Sequence, residues 1–307
     1  MYLYGTKLLW LQGEDCRQLL HVKVNSTRSE VVDLSINRFS HWQNIVKYSL
    51  TQNMRVLPQE IEFTKFLLNV GDGILNDIHD NLSLDNIPKK CITITNEVED
   101  IVADIYGHIF HCRQYRQAIN YAILSARNVD VNEINETVVN LLDETTEKNY
   151  TSIDSTENCD NEGFNNILLP EYLNILNPSS LPPYELRLRI NSIIMIIRNL
   201  SISEGLCNGT RLMVLELANN ILKCEILTGD KKGDIVFINR ITLYSSETDY
   251  PFIFIRRQFP IKLAFAMTIN KAQGQTFKKI RIDLRNDVFS HGHLNTLLYL
   301  VYGYEIL

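Results

Sequence analysis

Short apolar runs alternate with amphipathic stretches in the first half of the chain, and short apolar runs separated by turns dominate much of the second. Leu8, Leu9, Trp10 and Leu11 form a run that stops at Gly13, Glu14 and Asp15. A buried parallel strand ends this way, and α/β proteins gather ligand contacts at such strand ends. Apolar spacing predicts helices over 26–42 and 61–70. A second strand is expected at Tyr121–Ser125, followed by a helix over 129–142. Strands alternating with helices indicate an α/β unit.

Residues 143–163 are acidic, rich in Ser, Thr and Asn, and poor in apolar side chains, so they read as an exposed loop. The turn-rich segment Asn177–Pro183 marks a boundary. After it, 186–197, 211–217, 221–227, 234–238 and 252–255 are strand-like runs, separated by turn signals such as Gly229-Asp230 and Lys232-Gly233-Asp234. Short strands at this spacing predict a small β-barrel inserted into the α/β unit. Mixed patterning returns at Pro260.

Composition narrows the function more than the fold. The chain has 307 residues, 45% hydrophobic and 21% charged, as expected of a globular protein. Its formal charge of −6 gives no overall attraction to nucleic acid. Any such contact must come from local cations or backbone amides. Cys16, Cys91, Cys112, Cys159, Cys207 and Cys224 show no close pairing of the kind that clamps zinc. Scattered thiols without a secretory leader suggest a reducing compartment, nucleus or cytoplasm. No apolar run approaches the ~18 residues of a membrane helix, so no membrane partner is expected. His108, His111 and Cys112, or His291 with His293, lack a second pair to complete a metal site, and no metal is assigned.

Four stretches carry candidate chemistry. Asp15, Arg17 and Gln18 follow the first strand-like run, where such groups can sense a triphosphate and its metal. Arg55 follows a short β-like run, and arginine stabilises charge on a transferring phosphoryl group. Gly205, Asn208, Gly209, Thr210 and Arg211 combine glycines for close backbone approach with donors for phosphate oxygens. The segment 264–276 runs from apolar residues into Thr268, Asn270, Lys271, Gln273 and Gly274. That density of donors suits a phosphate backbone or a nucleotide.

In chain order these stretches resemble the motifs of DNA helicases of the petite-integration-frequency (Pif) and Helitron type. Asp15-Cys16-Arg17-Gln18 resembles the third motif, Leu50–Val56 the fourth, Ala264–Thr276 the fifth, and Phe289-Ser290-His291-Gly292 the approach to the sixth. Segments 123–135, 177–189, 198–200 and 205–211 follow the connecting region. The resemblance implies an α/β fold: a RecA-like second domain interrupted by a small SH3-like β-barrel, with a remnant of the first RecA-like domain. The implied parts are 1–47 (the remnant), 48–200 (second domain with acidic loop 143–163), 201–258 (SH3-like insertion) and 259–307 (return segment). By resemblance Gln18 senses the γ-phosphate and Arg55 is the arginine finger. Asp15, Arg17, Gln273 and Gly274 face the nucleotide. Gly205, Asn208, Gly209, Thr210, Arg211, Thr268, Asn270 and Lys271 lie along single-stranded DNA.

Such helicases use ATP and magnesium held by a G-x-x-x-x-G-K-[ST] loop, and no such string occurs in the sequence. After Ser290-His291-Gly292 the chain reads His293-Leu294-Asn295-Thr296-Leu297-Leu298-Tyr299-Leu300, with Leu300 where the sixth motif has its arginine. The expectation is a fragment of a five-prime-to-three-prime helicase of repair, recombination, telomere maintenance or transposition, which alone does not hydrolyse ATP. Its expected partners are single-stranded DNA and a missing N-terminal RecA-like domain. The alternatives are a non-catalytic single-strand-binding module and an unstable gene relic.

Overall fold

The computed structural model describes residues 97–157, 170–178, 180–245, 250, 252–272, 275, 277–286 and 305–306, with scattered positions between 27 and 75. The chain divides into two compact units, residues 1–87 with 288–303 and residues 88–287 with 304–307. In the first unit, the Thr27 amide donates to Glu30 Oε2 at 2.7 Å and the Glu30 amide donates to Thr27 Oγ1 at 3.4 Å. This reciprocal cap satisfies amides that a helix start leaves without partners. The run at 8–11 and most of the helices expected over 26–42 and 61–70 lie outside the described residues.

The second unit contains strands β1 Tyr121–Ser125, β2 Lys148–Thr151, β3 Ile153–Glu157, β4 Glu185–Leu188, β5 Ile193–Ile196, β6 Arg211–Leu217 and β7 Ile221–Ile226. It continues with β8 Ile235–Asn239, β9 Ile241–Tyr244, β10 Ile253–Gln258, β11 Ile261–Leu263, β12 Ala266–Thr268, β13 Lys279–Asp283 and β14 Glu305–Ile306. Its helices are α1 Val98–Val102, α2 His108–His111, α3 Asn128–Asn140, α4 Pro170–Ile175 and α5 Ile269–Ala272. A π-helical stretch, Ala103–Gly107, links α1 to α2.

A parallel sheet in the order β12–β1–β13–β14 forms the α/β part. Ala122, Ile123 and Leu124 of β1 are wholly buried, as a strand covered on both faces requires. Val98, Ile101, Val102, Ile105, Tyr106 and Ile109 recur at helical spacing and are all buried. Tyr106 packs edge-on against Phe265, with ring centroids 5.5 Å apart. In α3, Val131, Ile134, Val138 and Val139 form the buried stripe.

The remaining strands are antiparallel: a five-stranded sheet β11–β5–β6–β7–β8, a three-stranded sheet β3–β10–β9 and a pair β2–β4. Leu188, Ile194, Ile196, Leu212, Val214, Leu222, Cys224, Ile226, Phe259 and Ile261 share one core. β5 and β11 lie outside 201–258, the insertion the resemblance implies, yet share one sheet with β6, β7 and β8 inside it.

One expectation is corrected. Within 143–163, read as an exposed loop, residues 148–151 and 153–157 are strands paired with β4 and β10. Tyr150 is buried between exposed neighbours, and its hydroxyl donates to the Ala218 carbonyl at 2.7 Å. A strand with one buried residue per turn of the pleat carries too little apolar signal to be seen in composition. The Asp154 side chain, in the same segment, is 1% exposed and pairs with the fully buried Arg256 at 2.7 Å. Arg256 also donates to the Leu176 and Pro182 carbonyls, and so ties the turn-rich 176–182 segment to β10.

Candidate functional site

The loop between β5 and β6 is shaped by its own backbone. Gly205 and Gly209 sit at φ +76° and +91°, which side-chain-bearing residues rarely adopt. Thr210 Oγ1 donates to the Gly205 carbonyl at 2.9 Å and accepts the Cys207 amide at 3.3 Å. Its hydroxyl is therefore committed to holding the loop. The Asn208 amide donates to Asn199 Oδ1 at 2.8 Å, and the Asn208 residue is exposed.

The second contributor comes from the α/β part. Strand β12 runs into α5, which carries Asn270 and Lys271. Buried Asn135 of α3 fixes that strand: its Oδ1 accepts the Phe265 and Ala266 amides at 3.1 and 2.9 Å, and its Nδ2 donates to the Ala266 carbonyl at 3.0 Å. The Tyr106 hydroxyl donates to the Phe265 carbonyl at 2.6 Å, and burial raises its pKa.

These two segments, far apart in sequence, line one cleft of about 1110 Å³ with Arg198, Thr228, Gly229, Asp230, Lys231 and Gln275. Among the described residues its exposed cations are Arg198, Lys231 and Lys271, against one carboxylate, Asp230. A chain of formal charge −6 thus presents a locally cationic surface. Lys271 reaches solvent, but crowding by protein lowers its pKa. Buried polar atoms are ordinarily paired, yet Ser180 Oγ, Arg211 Nε and Gln275 Oε1, all on residues lining the cleft, have no hydrogen-bond partner among the described residues.

Arg211 lines the cleft but is only 2% exposed. Its Nη1 donates to the Ile119 carbonyl at 2.9 Å, and its guanidinium lies 4.5 Å from the centre of the Phe277 ring. Burial pushes its pKa down to about 10. A smaller cavity of about 240 Å³ is lined by Thr268, Asn135, Arg187, Lys262 and again Lys271. Burial, with Lys271 and Arg256 nearby, lowers the Lys262 pKa to about 8.

Of the residues singled out in the sequence, Gly205, Asn208, Gly209, Thr210, Arg211, Asn270 and Lys271 meet in the larger cleft. Thr268 lines the smaller cavity, where Lys271 joins it. Asp15, Arg17, Gln18, Arg55, Gln273 and Gly274 lie outside the described residues. Sequence reasoning missed Arg198 and Lys231 as cleft cations. The signal for Lys231 was present in Gly229-Asp230-Lys231-Lys232-Gly233, a lysine pair framed by glycines at φ +80° and +98°.

Residues 171–217 match the family described as DNA helicase Pif1, 2B domain, and residues 2–81 match the family described as PIF1-like helicase. The ATP-dependent DNA helicase PIF1 of Homo sapiens is 29% identical over 126 residues, 40% of this chain and 19% of that protein. The Danio rerio protein of the same name is 25% identical over 210 residues, 66% of this chain and 29% of that protein. The chain therefore spans less than a third of these relatives' length. Among solved structures, Pif1 helicase from Bacteroides in complex with ADP-AlF3 and ssDNA aligns with TM-score 0.57 at 21% identity, over 92% of this chain and 58% of that one. Pif1 helicase from Candida albicans aligns with TM-score 0.55 at 18% identity, over 85% and 56%. The structural likeness is one of fold.

Proposed function

We propose that the chain is part of a Pif1-type helicase, whose family models match residues 2–81 and 171–217, and that its second unit is the strand-binding part of that DNA helicase. The observation that carries this reading is the convergence of the 205–211 loop with Asn270 and Lys271 on one cationic cleft. Exposed Arg198, Lys231 and Lys271 neutralise phosphates, and the glycine-framed loops let backbone approach the strand closely. Thr210 and Arg211 serve by building the cleft: the Thr210 hydroxyl and the Arg211 guanidinium are engaged within the protein. Gly205, Gly209, Asn208 and Asn270 offer surface to the strand, with Thr268 beside the path in the adjoining cavity. On the same reading the antiparallel sheets correspond to an SH3-like insertion in a RecA-like second domain.

The parent activity is five-prime-to-three-prime unwinding driven by ATP and magnesium, in repair, recombination, telomere maintenance or transposition. Gln18, Arg55, Asp15, Arg17, Gln273 and Gly274 are proposed to face the nucleotide. The sequence contains no G-x-x-x-x-G-K-[ST] string to grip the phosphates and metal, so these 307 residues alone are proposed to bind DNA without turning over ATP.

The test is binding of the purified chain to single-stranded oligonucleotides across a salt series, with phosphate release recorded on the same sample. Affinity should fall steeply with salt, and Lys231→Ala should make the log–log slope shallower by about one. Salt-insensitive binding, or none, would remove the cleft from the DNA path. DNA-stimulated phosphate release would overturn the claim about ATP.

A further inference from the structure

Ile202 is 76% exposed, more than any other large apolar side chain among the described residues, and of those exposed side chains it alone lines the cleft. A lone isoleucine in water is ordinary on a protein surface. Its mounting sets it apart. The Leu206 amide donates to the Ser201 carbonyl at 2.8 Å, the Ser201 amide donates back at 3.2 Å, and the Gly205 amide donates to the Ile202 carbonyl at 3.1 Å. This small turn is seated against the β7–β8 loop, because a Cβ on Gly205 would lie 3.0 Å from Lys231 Cβ and Cγ. A β-branched side chain has little rotamer freedom. The turn thus holds a stiff apolar tip at a fixed place in a polar, cationic cleft.

We infer that Ile202 is a base-packing residue: its side chain receives the face of one nucleobase from a single strand whose phosphates lie along Arg198, Lys231 and Lys271. The inference rests on the reading of the cleft as a strand path. Phosphate gives an aliphatic tip nothing to pack on, the sugar offers only a narrow C–H edge, and exposed Glu204 beside it repels phosphate. The base face is the apolar part of a strand, and aliphatic side chains at nucleic-acid interfaces pack against or between bases in this way. The contact carries no hydrogen-bond code, so it serves any sequence.

The experiment uses the full chain with oligodeoxythymidine strands carrying one 2-aminopurine at successive positions. That base changes fluorescence when its stacking changes. The unaltered protein should perturb one position more than its neighbours. Ile202→Ser should erase that positional signal and lower affinity about three- to tenfold, with the salt slope kept. Ile202→Leu should retain both signal and affinity, and matched unfolding midpoints should show all three proteins folded. A wild-type fluorescence profile in Ile202→Ser, with strand binding intact, overturns the inference alone. Absence of salt-dependent binding by the unaltered chain instead overturns the strand path, and this inference with it.

Discussion

In the parallel sheet, Ala122, Ile123 and Leu124 are wholly buried, and two neutral side chains beside them, Asn135 and Tyr106, both bond to the 265–266 peptide groups. In the three-stranded antiparallel sheet, by contrast, a complete ion pair lies inside, Arg256 with Asp154, joining residues 102 apart in sequence. Gln258 nearby donates to the Tyr150 carbonyl at 2.8 Å from the same interior. Both regions are joined by residues distant in sequence, 131 and 159 apart for the Asn135 and Tyr106 contacts, but those contacts use neutral groups, whereas the second region closes on a buried charge pair that tolerates no loss of a partner. The cleft takes Lys271 from the first region and the 205–211 loop from the antiparallel part. Its shape therefore depends on both kinds of order.

The largest expected effect comes from breaking the second kind. Asp154→Ala leaves Arg256 buried without its carboxylate and should cost about 3–5 kcal/mol in denaturant unfolding. Replacing both partners by apolar residues of similar volume (Asp154→Leu with Arg256→Met) should recover most of that loss. A single replacement as mild as the double one would show that the pair does not hold the region together. Next is Asn135→Leu, which strands the Phe265 and Ala266 amides and should cost about 2–3 kcal/mol. Because β12 leads into α5, strand binding by this variant should weaken even well below its unfolding midpoint; unchanged binding would separate Asn135 from the cleft.

The smallest effect is a pH dependence. The folded-state pKa of Lys262 lies near 8, below its ordinary value, so between these values the unfolded chain holds more protons. Its contribution to stability therefore rises with pH through that window, and below it the buried charge remains a fixed cost. Lys262→Gln should raise the unfolding midpoint at pH 7 by more than at pH 10, and an equal rise at both would assign the effect to packing.

Much of this was legible in the sequence. Tyr121–Ser125 and Arg211–Leu217 are strands over the expected residues, and α3 occupies Asn128–Asn140 where 129–142 was read as helix. Each carries its periodicity within itself. The helical stretch 98–111 was not anticipated, although its apolar residues recur at helical spacing. β2 and β3 were hidden for a different reason: their stability lies in partners at 185–188 and 253–257, and their own composition is that of a loop. The cleft was half visible. Motif order marked 205–211 and 268–271, but only the fold shows that Arg211 turns its charge inward and that Lys231 supplies an exposed one. An arginine's direction depends on a ring, here Phe277, that lies 66 residues away (277 − 211).

Arg211 also has a mechanical consequence. Its backbone edges the cleft, while its guanidinium grips the Ile119 carbonyl just before β1 and rests on Phe277 just before β13. The side chain acts as a strut between the wall of the groove and the roots of two parallel strands. Tension on a polymer threaded through the groove would be passed to the buried parallel sheet rather than spent on bending a loop.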